Sequence, residues 1–278
     1  MSSRAPSGTS WGHVGAPIPS IDSSPGIKLL PFVLSFVAGS VDVISFLGLD
    51  GLFTAHITGN LVVLAAHILA RGEATLALVI SVPLFVIMLA ATRVLAAGLD
   101  RSGIPSLGVL LFVQFALLCA FLGICIAAGS GVSASAPSMI LAGMLGVSAM
   151  AVQNALVRIS LVGAPSTAVL TTNITLLTTD IGEIILGQDP GLIAKARQRA
   201  RRTWPAVAGF LFGCALGAWC EAAIGLRALA LPASFALLAL ALGVFATLHR
   251  PFGGTTPAHP TNNVNLSQSN DSFPRPRQ

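Results

Sequence analysis

Thr54-Ala55-His56-Ile57-Thr58-Gly59-Asn60 gathers hydroxyls, an imidazole and an amide into seven consecutive residues between long apolar runs. A second polar group returns as Ser166-Thr167-Ala168-Val169-Leu170-Thr171-Thr172-Asn173. Side chains of this kind are costly to bury in an apolar medium unless each finds a hydrogen-bond partner. Asp42 stands about fourteen residues into the first apolar run, where a carboxyl is protonated, paired or open to a water-filled cavity. Two roles stay open for it: a group that couples a proton or cation, or an interhelical tie to the Thr58 or Asn60 region.

On a helix, His56, Asn60 and His67 share one face through spacings of four and seven, and Asn173 and Asp180 repeat the spacing of seven. Stripes that face each other would line one polar path, and imidazole is suited to passing protons near neutral pH. The alternative for His67 and Asp180 is a place near the cytoplasmic end, against headgroups. Gly59 lets the backbone turn or be approached closely. A helix starting at His56–Thr58 would aim free N–H groups inward, as an anion or carbonyl site. Thr58 as a plain N-cap is the other reading. Gln153 and Asn154 are amides able either to line a cavity or to bond across helices.

The elements that must hold these residues are apolar. Of 278 residues, 54% are hydrophobic and 9% charged, against roughly 25% charged in soluble domains. That composition specifies an all-α, polytopic membrane bundle. Eight apolar stretches run over 28–48, 54–71, 74–97, 106–128, 137–159, 164–187, 204–225 and 228–248, with six to eight helices expected. Most reach the ~20 residues needed to cross a bilayer. The second is the shortest, which places its start below the membrane surface. Residues 1–27 and 251–278, rich in Ser, Pro, Gly and Asn, read as disordered tails around one membrane domain, 28–250.

The net charge of +5 comes largely from the loop Lys195-Ala196-Arg197-Gln198-Arg199-Ala200-Arg201-Arg202. It reads as a cytoplasmic topology marker and not as a nucleic-acid arm, since no aromatic interleaves it. Counted over eight crossings, eleven Lys and Arg fall on the side of the termini and four on the other. Both termini are therefore expected in the cytoplasm, with the protein in the plasma membrane. The four cysteines lie in apolar runs without metal-ligand spacing and read as buried thiols. No cofactor or metal is expected.

The halves 28–128 and 137–248 echo each other. Gly39-Ser40-Val41-Asp42 corresponds to Gly146-Val147-Ser148-Ala149, and Thr58-Gly59-Asn60 to Thr171-Thr172-Asn173. Four segments per half is an even number, which predicts two parallel repeats. Gly39-x-x-Asp42 with Phe46-Leu47, then Phe53 through Asn60, resembles the opening motif of the YoaK-like family of bacterial membrane proteins (domain of unknown function 1275). Gln153-Asn154-Ala155-Leu156 followed by Thr171-Thr172-Asn173 is similar to that family's second motif, with Thr172 where glycine would be expected. The resemblance spans about residues 28–250. It implies an integral, transporter-like membrane protein whose substrate is not established.

Gly209, Gly213 and Gly217 form a small-residue ridge, for packing within the chain or for a homo-oligomer. No Gly-x-Ser-x-Gly, His-Glu-x-x-His, phosphate-loop or CxxC pattern occurs, so an enzyme is not expected. The reading is a secondary transporter of a small solute, possible proton coupling resting on Asp42. A membrane scaffold or sensor acting through 195–202 is the alternative.

Overall fold

The computed structural model describes residues 25–69, 76–129, 131–161, 163–167 and 169–248. The expected tails fall outside the described residues except for 25–27, which already belong to the first helix. Eight α-helices follow in order among the described residues: α1 Pro25–Gly48, α2 Ile57–Leu69, α3 Leu76–Arg101, α4 Ser106–Ala128, α5 Pro137–Ser160, α6 Leu170–Leu186, α7 Pro190–Ile224 and α8 Ala230–Leu248. A 3₁₀ turn, Gly225–Leu229, joins the last two. No strand occurs among the described residues.

Among the described residues five segments are long and apolar enough to cross a membrane: Gly26–Gly48, Leu76–Arg101, Ser106–Ala128, Pro137–Ser160 and the 59-residue Pro190–Leu248. The last doubles back at Gly225, whose φ of 61° glycine alone adopts freely. At 13 residues, α2 is about 20 Å long and falls short of ~30 Å of hydrocarbon.

Helices α1 and α5 form the centre. Burial covers 78% of the apolar window in each, against 17% in α3 and 33% in α4, whose outer faces expose large apolar side chains. α1 packs on α7 and α8, and α5 packs on α3 and α4. α4 meets α8, while α2 lies on α3 and α6 on α7.

Named neighbours give the directions. Gly209 lies against Phe32, Gly213 against Phe36 and Gly217 against Ser40, so α1 and α7 run the same way. Phe36 stacks on Phe235 at 4.0 Å while Gly26 meets Leu242, so α8 returns the opposite way. Ser106–Ser160 and Gln114–Gln153 bonds make α4 and α5 antiparallel. Gln153 reaches the Leu34 carbonyl while Gly143 and Gly146 meet Leu52 and Thr54, so α1 and α5 also oppose. Parallel halves would require α1 and α5 to point the same way. The parallel repeat expected from four crossing segments per half is therefore corrected, and its cause is α2, too short to count as a crossing.

The basic run is also not a loop. Asp189 accepts the Gly191 N–H at 2.7 Å and Pro190 occupies the first turn, so α7 starts there and carries 195–202 as helix. With Gly209 level with Phe32, residues 190–202 project about 20 Å past the start of α1.

The glycine ridge belongs inside the chain and is not free for a second copy. A Cβ at Gly209 or Gly213 would stand 2.3 Å from the Phe32 or Phe36 carbonyl oxygen, both fixed backbone. Gly209→Ala and Gly213→Ala should each lower stability by about 1–3 kcal/mol. Gly123→Ala, where nothing lies within 4 Å, should not; thermal unfolding in detergent compares the three.

Candidate functional site

Two residues with positive φ, Asp50 (54°) and Gly51 (82°), reverse the chain after α1. The segment Leu52–His56 drops back along the helix to the level of Asp42. There Asp42 Oδ1 accepts the backbone N–H groups of Thr54 (2.8 Å) and Ala55 (2.7 Å), and that of His56 at 3.4 Å. Its other oxygen, Oδ2, lies 2.7 Å from His56 Nδ1. Successive N–H groups pointing to one spot form an anion-binding concavity, filled here by the chain's own carboxylate. The carboxylate side chain is 5% exposed and the imidazole 36% exposed, its ring edge-on to Phe210 at 5.3 Å.

Asn60, fully buried on the first turn of α2, locks the same segment a second time. Its Oδ1 accepts from Phe53 N–H and its Nδ2 donates to Phe53 C=O, both at 2.8 Å, and to Ser81 Oγ on α3 at 2.9 Å. Gly59 is required beside it, because a Cβ would meet the Phe53 ring at 2.8 Å.

A comparable knot closes the connection between α5 and α6. Asn173 Nδ2 donates to the Ser166 carbonyl, again seven residues upstream. Gln153 Nε2 donates to Thr167 Oγ1 (3.0 Å) and to Leu34 C=O on α1 (2.9 Å), and its Oε1 accepts from Gln114 on α4 (2.7 Å). Gln153 here performs the tethering that Asp42 performs in the first knot. Leu34 and Asp42 are eight residues apart on α1, so the two knots are separated by about 12 Å along it.

The family model described as "Protein of unknown function (DUF1275)" matches residues 30–242, more than half of the chain. This chain is a member of the DUF1275 family. Comparison with curated proteins gave no match, and neither did comparison with solved structures.

In this DUF1275 protein the expected site residues do not all converge. Asp42, His56, Gly59 and Asn60 build the first knot, and Gln153 and Asn173 the second. Thr58, Thr171 and Thr172 are exposed on the outer faces of α2 and α6. Thr58 is not the cap of α2, since Asp42 gathers the N–H groups leading into it. Asn154 only donates to Met150 C=O on its own helix, at 2.9 Å. Asp180, 2% exposed, pairs with Arg199 of α7 and lies outside both knots.

One shared polar path lined by Asn60/His67 and Asn173/Asp180 is corrected: both asparagines are consumed by backbone groups seven residues upstream. Ser81 and Gln114, which the sequence reading does not name, complete the two knots, while Arg199, read there only as part of the basic run, pairs with Asp180. The available signal was a lone polar residue in an apolar helix, as at Gln114. Among the described residues no group of three His, Cys, Asp or Glu could hold a metal. The cysteines are free, but only Cys125 is buried, which corrects the uniform burial expected of them.

Asn60→Ala removes partners from two backbone groups and a serine, each worth roughly 1–3 kcal/mol when left unpaired. It should cost about 2–4 kcal/mol, whereas Asn154→Ala should cost under about 1 kcal/mol. Thermal unfolding of the two purified variants makes the comparison.

Proposed function

We propose that this chain is an integral protein of the cytoplasmic membrane that carries a small solute by alternating access, with Asp42 and His56 as its proton-coupling pair. The observation that carries this reading is the pair of tethered segments at Leu52–His56 and Ser166–Thr167, each held into the bundle before a short helix. Interrupted helices at the interface of two internal repeats are a recurrent basis of solute sites in transporters.

Inverted repeats account for the packing. Exchanging α1 with α5, α2 with α6, α3 with α7 and α4 with α8 turns the set of principal helix pairs into itself. The asparagine tethers are displaced by one constant interval, 60 to 173 and 53 to 166, as are Thr54 and Thr167. Each half then has three crossings and one half-helix, an odd number, which places the halves in opposite orientations.

Six crossings also sharpen the charge asymmetry. Of the ten Lys and Arg among the described residues, Lys28, Arg93, Arg101, Arg158 and the five of 195–202 lie toward the α1 N-terminal end. Arg227 alone lies toward the other. This favours a cytoplasmic N-terminal end of α1, with Arg93, Arg101 and Arg158 moved to that side from the eight-crossing count.

Apart from the half-buried His56 ring, both knots are closed by packing. In this reading they act as latches, one for each face, and the solute passes between them when one opens. Sealed packing also favours a second reading, a scaffold that transports nothing and acts through 195–202.

Single cysteines at Thr54 and Thr167, in a chain lacking its four native cysteines, distinguish these readings. A membrane-impermeant maleimide should label Thr54→Cys from outside and Thr167→Cys from inside. Labelling at neither position under any solute or pH condition would leave the scaffold. The titratable groups facing Asp42 are His56 and the Cys214 thiol of α7. An amide at position 42 accepts the N–H groups of Thr54–His56 less strongly than a carboxylate does, so Thr54→Cys labelling should rise when Asp42→Asn is added while the protein still inserts.

A further inference from the structure

The basic run of α7 splits over two faces. Arg199 turns to α6, where Nε and Nη2 both donate to Asp180 Oδ1 at 3.0 and 2.6 Å. Arg197 and Arg201 lie four residues apart on another stripe, are exposed, and form no ion pair among the described residues. Trp204 continues that stripe three residues beyond Arg201 and is 54% exposed.

An exposed indole belongs at the boundary between hydrocarbon and headgroups. The two guanidinium groups stand within about 10 Å of it along the axis, on the projecting side, which is the depth of lipid phosphates. A planar guanidinium fork matches the oxygens of a phosphate. No carboxylate occupies the stripe: Asp180 and Glu183 lie on α6 beside Arg199, and Asp189 caps the start of α7.

We propose that Arg197 and Arg201, bordered by Trp204, form a docking stripe for the phosphate of an anionic phospholipid in the leaflet at the α1 N-terminal end. The charge is complementary, and the site is held on a helix anchored by the α1–α7 ridge. The inference needs the membrane location but not transport.

Purified full-length protein in mixed micelles of phosphatidylglycerol and phosphatidylcholine, read by native mass spectrometry, tests it. Wild type should retain phosphatidylglycerol selectively. R197Q/R201Q should weaken that retention about thirtyfold, roughly fivefold per arginine, without changing Tm. Arg227→Gln, at the other end of the bundle, should retain the lipid as wild type does. Unchanged retention in R197Q/R201Q, or an equal loss in Arg227→Gln, would overturn the stripe. Displacement of the lipid by an equal concentration of inorganic phosphate would make it a free-anion site and overturn it too, as would displacement by polyglutamate.

Discussion

A single carboxylate allows the chain to fold back into its own apolar interior. Backbone N–H groups that leave a helix inside a hydrocarbon environment have no water to bond, and each one left alone costs several kcal/mol. Asp42 gathers those of Thr54 and Ala55, with His56 more distant, so the segment can sit beside α1 instead of outside it. The cost of the buried charge is offset in turn by these donors and by the His56 ring. Asp42 on α1, Asn60 on α2 and Ser81 on α3 therefore form one connected polar unit, and the start of α2 depends on it.

The second knot solves the same problem without a charge. Gln153 has both a donor and an acceptor, and it uses them to join α1, α4 and the segment before α6. An amide network of this kind is less sensitive to pH than a carboxylate–imidazole pair. The two ends of the bundle thus differ in chemistry while sharing a backbone tether seven residues upstream of an asparagine.

Much of this was legible in the sequence, for identifiable reasons. Long apolar runs placed most of the helices within a few residues, because hydrocarbon tolerates little else. However, α7 starts at Pro190, fourteen residues before its apolar run, through the basic stretch that apolar character could not mark. The polar groups around Asn60 and Asn173 stood out because their burial needs partners. What the sequence withheld was who those partners are. Asn60 reaches backward to Phe53 and across to Ser81, and no local spacing announces either contact. The direction of the halves was missed for a related reason: apolar character marks 54–71 and 164–187 as it marks a crossing, while the turn at Asp50-Gly51 that changes the count is two residues long. The glycine ridge was visible, yet its partner, α1, lies far away in sequence.

That distance has a temporal side. Phe32 and Phe36 on α1 wait for Gly209 and Gly213, some 177 residues later in the chain. At about 5–20 residues per second, α1 spends roughly 10–35 s of synthesis without its closest neighbour. Neither half is a self-sufficient folding unit, because α1 takes α7 from the second half and α5 takes α3 from the first. The nascent protein must hold its earliest helix in an unfinished setting until the last third of the chain arrives to close against it.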